Sequence, residues 1–286
     1  MEWEVTIAVI LLGLVLGATL GSFACCQVRR MRRKEKGEKK LGKWSVCEHC
    51  GHKLAWYENI PIISWFALRG KCKKCKQKIG AMELTSEIGL AIIFVVLALV
   101  FARMTDWLVA VTPEALIASA FFTVIMTLMW MIASYDMKWG KMPTVLLIAT
   151  VILALGMRIW ALITSGPALQ ADLLNLVGAL LVLPALYFAL YFFSKEKLVG
   201  GGDWILALAI ALILGDWWLA FFVLFISNVL ASIVAVFLII KDRKVHKKAK
   251  MSKEMTMKIP FGPYLVLALV IVIALEPWIS RMLVKL

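Results

Sequence analysis

Residues 203–240 read "DWILALAIALILGDWWLAFFVLFISNVLASIVAVFLII", and whether they make one membrane span or two decides the fold. The stretch is apolar apart from Asp203, the Gly215-Asp216 break and a few small polar residues. The part before the break, 203–214, gives about 18 Å of helix, too short to cross a ~30 Å hydrocarbon layer alone. The part after it, 217–240, is long enough.

Charge decides between the readings. Further apolar runs occupy 5–26, 83–103, 114–135, 143–164, 171–193 and 263–283. Two basic blocks flank them, "RRMRRKEKGEKKLGK" at 29–43 and "KDRKVHKKAKMSKEMTMK" at 241–258. With residues 29–82 in the cytoplasm, 104–113 falls outside, "YDMKWGK" (135–141) inside, 165–170 outside, and 194–203 with Lys195 and Lys197 inside. One span over 203–240 would turn the second basic block outward. Two spans hinged at Gly215-Asp216 keep it in the cytoplasm, as the positive-inside rule prefers. The fold class is therefore an all-α polytopic membrane protein. It has about eight transmembrane helices, both termini outside, the sixth helix short or partly re-entrant, and a small cytoplasmic loop domain.

Composition agrees. Of 286 residues 62% are hydrophobic and mean hydropathy is +0.88, against about 45–50% apolar in soluble domains. The net charge of +14 sits beside membrane runs, where anionic lipid is the natural partner. Neither basic block carries the aromatics of a single-strand binder, so no nucleic-acid partner is expected. The first run follows Glu2 and Glu4 rather than a basic segment, the pattern of a retained helix and not of a removed signal peptide.

Residues 47–75 read "CEHCGHKLAWYENIPIISWFALRGKCKKC". The pairs Cys47/Cys50 and Cys72/Cys75 are separated by 21 residues. Each C-x-x-C can turn two thiolates onto one metal. Four soft ligands suit a tetrahedral structural Zn²⁺ with no open position for water. Disulfides are the other use of such cysteines, but a cytoplasmic loop keeps thiols reduced. His49 and His52 read as neighbours of the site rather than ligands, and Cys25 and Cys26 as small buried residues. The segment between the knuckles, interrupted by Pro61, is expected along the membrane surface with Trp56, Tyr57 and Trp65 at the interface.

Two acids stand apart. Asp136 closes a long apolar run, and Asp203 follows Gly200, Gly201 and Gly202, which allow close backbone approach. Singly, Asp203 reads as a helix cap and Asp136 as a border charge. Together they fall on one face at the cytoplasmic border. Two carboxylates brought close share a proton, so one can activate water while the other protonates a scissile carbonyl. Glu83 and Glu87 begin the second run, where a dipole role is the simple reading.

These residues resemble the type IV prepilin peptidases, integral-membrane aspartic proteases of the Gly-x-Gly-Asp class. "LGSFACCQVRRMRR", the cysteine loop with Trp56-Tyr57-Glu58-Asn59-Ile60-Pro61 and Arg69-Gly70, Asp136 with Pro143, Gly200–Asp203 and "KIPFGPYL" occur in the family's order. The resemblance implies catalytic Asp136 and Asp203 and a divided chain: 1–28 a first transmembrane helix, 29–82 a basic tetra-Cys domain, 83–286 a membrane peptidase domain. It implies prepilin or pseudopilin substrates, cut after a basic leader at the cytoplasmic face of the bacterial inner membrane. Many members also methylate the new N-terminus with S-adenosylmethionine, and Glu87, which stands where the family often has Glu, is the candidate cofactor-binding residue for that methyl transfer. There are departures. The family's Lys-Leu after the second Asp and one residue is Ile205-Leu206 here, and its Arg-Tyr-Pro is absent from "IGAMELTSEIGLA". A proton-coupled transporter, or an assembly factor with a zinc docking loop, would use the same acids or cysteines differently. Transporter sites lie near the midplane between repeats, which this sequence does not show.

Overall fold

The computed structural model describes residues 3–37, 44–104, 113–164, 169–196, 199–246 and 260–283. The loops expected outside, Lys197 and most of the second basic block lie outside these residues. Among the described residues the chain is helical, without a β-strand, and forms two compact units, Met1–Ser134 and Tyr135–Leu286.

The first unit contains α1 (Trp3–Glu35), the cysteine loop with a 3-10 turn (Trp56–Asn59) and α2 (Ile63–Ala67), then α3 (Ala81–Met104) and most of α4 (Pro113–Trp139). Helix α1 runs past the apolar stretch into the first basic block. It packs on α3 through a stripe of small residues. A Cβ on Gly17 would meet the Leu90 carbonyl at 2.5 Å and Ala91 Cα at 2.6 Å. One on Gly21 would meet Ser86 O at 2.5 Å, and one on Gly13 would meet Phe94 O at 3.0 Å. As the number rises along α1 it falls along α3, so the pair is antiparallel. Lipid gives helices no hydrophobic reason to associate, so close backbone approach supplies the contact. Polar side chains reinforce it: Trp130 Nε1 donates to Ser86 Oγ at 2.9 Å, and Ser86 Oγ donates to Gly21 O at 3.0 Å.

The second unit contains the end of α4, then α5 (Thr144–Thr164), α6 (Leu169–Leu180), a π turn (Leu181–Ala185), α7 (Leu186–Ser194), α8 (Gly201–Leu214), α9 (Trp217–His246) and α10 (Gly262–Leu283). The π turn holds Pro184, which has no N–H for a regular helical bond. Six of the described helical segments are long and apolar enough to cross a membrane. Gly201–Leu214 and Gly262–Glu276 are shorter apolar stretches. The hinge expected at Gly215-Asp216 is present between α8 and α9. Helix α8 is apolar on all sides, as a central helix should be, with Leu206, Ala207, Ile210 and Ala211 fully buried. Helix α9 is peripheral and turns Phe225, Ile233 and Phe237 outward.

Candidate active site and metal centre

Asp136 lies in the last turn of α4 and is 5% exposed. Its Oδ2 accepts the backbone N–H of Gly262 at 3.0 Å. Gly262 is the first residue of α10, where N–H groups lack helical partners and the helix dipole favours an anion. The "PFGPYL" segment thus supplies a donor to a carboxylate 126 positions earlier.

Asp203 lies in the first turn of α8 and is 7% exposed. Its Oδ2 accepts the Gly200 N–H at 2.9 Å: the cap position belongs to Gly200, and Asp203, expected as the cap itself, reaches back to it from the third residue of the helix. The other carboxylate oxygen, Oδ1, is buried without a hydrogen-bond partner. Such an atom is costly to leave unmet and calls for an explanation.

Met142 connects the two surroundings. A Cβ on Gly202 would meet its Sδ at 2.8 Å and its Cβ at 2.9 Å. A Cβ on Gly262 would meet Met142 Cε at 2.7 Å and Asp136 Oδ2 at 3.0 Å. One methionine therefore lies against the backbone beside Asp203 and against the donor that holds Asp136. Around this locus, the Tyr187 ring stands 5.5 Å from that of Phe261. The Tyr187 hydroxyl receives an N–H from Asn228 Nδ2 at 3.1 Å. Tyr191 borders Gly201, whose Cβ would meet Cε2 at 3.4 Å, and donates its O–H to Glu196 Oε1 at 2.9 Å. Sequence reading passed over Met142 and Tyr187, because neither residue type announces chemistry in an apolar run.

In the first unit, Cys47, Cys50, Cys72 and Cys75 converge, their sulfurs all within 4.8 Å of one another. The two halves fold alike. Cys47 N–H donates to His52 O and Cys72 N–H to Gln77 O, both at 2.9 Å. Gly51 and Lys76 occupy matching left-handed positions, φ 69° and 58°. The cluster can hold a metal ion. A tetrahedron with ~2.3 Å metal–sulfur bonds has sulfur–sulfur edges of about 3.8 Å. Cys47 and Cys75 sulfurs are 3.8 Å apart, which fits structural zinc. Backbone N–H groups of Cys75 and Lys74 lower the Cys72 thiol to about 6. At Cys75 the Gln77 N–H acts in the same direction but is outweighed by burial and the neighbouring cysteine sulfurs, which raise that thiol to about 11.

His52, as expected, is not among the four ligands; its Nε2 lies 3.2 Å from Glu58 Oε2. That oxygen also accepts the Ala55 N–H at 2.8 Å, which, more than His52, keeps the Glu58 carboxyl below its ordinary range. His49 is exposed. Of the interfacial aromatics, Trp56 and Tyr57 are exposed while Trp65 covers Gly70. Glu87 Oε2 accepts the Ile62 N–H at 2.6 Å. Ile62 has φ 63° and ψ −54°, and Ile63 N–H bonds back to Pro61 O at 2.6 Å. This is a γ-turn on a β-branched residue, a strained conformation tied to α3 by Glu87. Glu83 pairs with Arg29, which also reaches Glu48 at 3.1 Å.

Fold and site together define a multi-pass α-helical membrane protein with a four-cysteine loop that could hold a metal ion and two buried aspartates at helix ends. Over most of its length the chain is similar to proteins named prepilin leader peptidases. Residues 15–101 match the Bacterial Peptidase A24 N-terminal domain. Three relatives bear the name prepilin leader peptidase/N-methyltransferase. That of Vibrio cholerae is 24% identical over 265 residues, covering 90% of this chain and 93% of the relative. That of Aeromonas hydrophila is 29% identical over 78% of this chain and 69% of the relative. That of Pseudomonas putida is 28% identical over the same shares. No solved structure matches this chain.

Proposed function

We propose that this protein is a membrane aspartic endopeptidase that removes the short basic leader of type IV prepilins or pseudopilins. The observation that carries the reading is the unpartnered, buried Oδ1 of Asp203, in a locus that shares Met142 with Asp136. An acceptor with no protein partner is where a water would bind. In this reading one aspartate takes a proton from water as its oxygen attacks the scissile carbonyl carbon. The other, protonated, gives its proton to the carbonyl oxygen. Collapse of the tetrahedral species breaks the C–N bond and returns a proton to the leaving amine. The Gly262 N–H steadies the ionised form of Asp136. Gly200 is exposed beside the acid, where an extended peptide would lie, while Gly201 and Gly202 pack against Tyr191 and Met142. The names of the relatives support the substrate class.

The charge pattern supports placing the acids at the cytoplasmic border, and the bacterial sources of the relatives support the bacterial inner membrane as the location. The Cys47, Cys50, Cys72 and Cys75 cluster is read as a structural zinc site. For N-methylation, S-adenosylmethionine when bound supplies an electrophilic methyl group to the new α-amine. Glu87 serves that step by fixing the loop at Ile62. We take 1–28, 29–82 and 83–286 as the functional divisions of the chain.

The test is mass spectrometry of a prepilin incubated with the protein and S-adenosylmethionine. A mass loss equal to the leader, plus one methyl group, is expected. An intact prepilin under conditions where the enzyme is folded refutes the peptidase reading.

A further inference from the structure

The second half of α5 holds a cation that the proposed chemistry does not use. Arg158 is an ionisable side chain in a segment apolar enough to span, a costly position that points to a role. Its Nε donates to the Leu212 carbonyl and its Nη2 to the Ile213 carbonyl, both at 2.8 Å. These are carbonyls of the last turn of α8, which have no partner within the helix. Helix α8 has 14 residues, about 21 Å, so, started at the cytoplasmic border as proposed, its last turn falls within the ~30 Å hydrocarbon layer. At that depth an unmet carbonyl must find a protein donor. A cation there also suits the negative end of the helix.

The turn beyond is built around this contact. Gly215 sits at φ 63° and donates its N–H to Ala211 O at 2.9 Å. A Cβ at Gly215 would collide with the Arg158 guanidinium. Asp216 Oδ1 then accepts the N–H groups of Trp218 at 2.8 Å and Leu219 at 3.3 Å, capping α9. Asp172, in the first turn of α6, is the acid whose charge acts on Arg158.

Helix α8 also carries Asp203 in its first turn. Because a buried helix moves as a unit, its depth at one end fixes its depth at the other. We infer that Arg158 is a positioning residue for Asp203. By holding the last carbonyls of α8 to α5, it sets how far the carboxylate at the opposite end projects toward the substrate. The inference rests on the peptidase reading for its catalytic consequence, and on the hydrogen bonds alone for its structural one.

Two readouts test it in the full-length protein in detergent micelles. The first is leader-cleavage kinetics of Arg158→Met, Arg158→Lys and Gly215→Ala with a prepilin. Displacement of a reacting group by about 1 Å costs on the order of 100-fold, so Arg158→Met should lower kcat by about that factor with KM within about twofold. Arg158→Lys, which keeps a donor and the charge, should recover part of the loss. Gly215→Ala, which keeps the arginine but pushes it aside, should fall in the same direction. The second readout is the rate at which a maleimide labels the thiol introduced by Asp203→Cys, with and without Arg158→Met, resolved by peptide mass spectrometry. It needs no activity. A changed labelling rate together with the kcat loss supports the inference. An unchanged rate overturns it, as does a changed rate with unaltered kcat or a loss carried by KM alone. If Arg158→Met does not accumulate, Arg158→Lys and Gly215→Ala make the same comparison. If the wild type cleaves no prepilin, the peptidase reading fails and the labelling arm alone decides the structural claim.

Discussion

The cysteine loop and the aspartate locus both bring distant residues together, but by opposite means. The loop is assembled from two copies of one local turn, each complete within a few residues of its cysteines. The aspartate locus has no local unit. Asp136 is held by Gly262, and its link to the surroundings of Asp203 runs through Met142 and two glycines. A centre built from local turns tolerates change elsewhere in the chain. A centre built from helix ends depends on every helix keeping its register.

That contrast can be broken most sharply at the acids themselves. Asp136→Asn and Asp203→Asn should each reduce leader cleavage by about 10⁴-fold while zinc content and helical circular dichroism stay unchanged. Continued cleavage by either variant removes the proposed chemistry. The reciprocal change is Cys47→Ser. It should abolish the roughly one zinc per chain measured by atomic emission, and lower methylation more than cleavage. Equal loss of both activities would join what the comparison separates.

A smaller effect sharpens the register argument. Gly202→Ala drives a methyl group against Met142 and should lower kcat about tenfold. Met142→Ala in the same chain should restore most of it, a coupling visible in a double-mutant cycle. Additive losses would show that Met142 does not link the two surroundings.

The smallest effect belongs to the loop. Glu58 titrates below its ordinary 4.5 in the folded loop, so its ionised form adds stability that is complete above that value. The contribution disappears as pH falls through the lowered folded value. Amide exchange at Ala55 should therefore accelerate on acidification in the wild type. In Glu58→Gln that step should be missing, with a cost of about 1 kcal/mol at neutral pH.

Much of this was legible in the residues. Cysteine spacing announces the four-cysteine cluster because each knuckle is local. The Gly215-Asp216 break announces the hinge because only 203–214 precede it. Apolar length accounts for six of the spans among the described residues, while the division of 203–240 into two follows from charge. What sequence could not show is contact between helix ends. Gly262 as the donor to Asp136, Met142 between the glycines, and Arg158 beneath α8 all depend on packing among residues far apart in the chain. Arg158 carried a signal, a lone cation in an apolar run, that no motif absorbed. Glu87 appeared as a dipole residue or a cofactor contact, and its grip on the Ile62 turn became visible only with the loop folded against α3.

The two-residue turn between α8 and α9 has a consequence for biogenesis. A helix of this length, released by itself from the translocation machinery, would strand its final carbonyls in oil. Leaving the insertion channel as a hairpin, after the α5 arginine is in the bilayer, would spare the two segments that exposure. A ribosome stalled with only the first segment emerged should leave a chain that quality-control proteases remove.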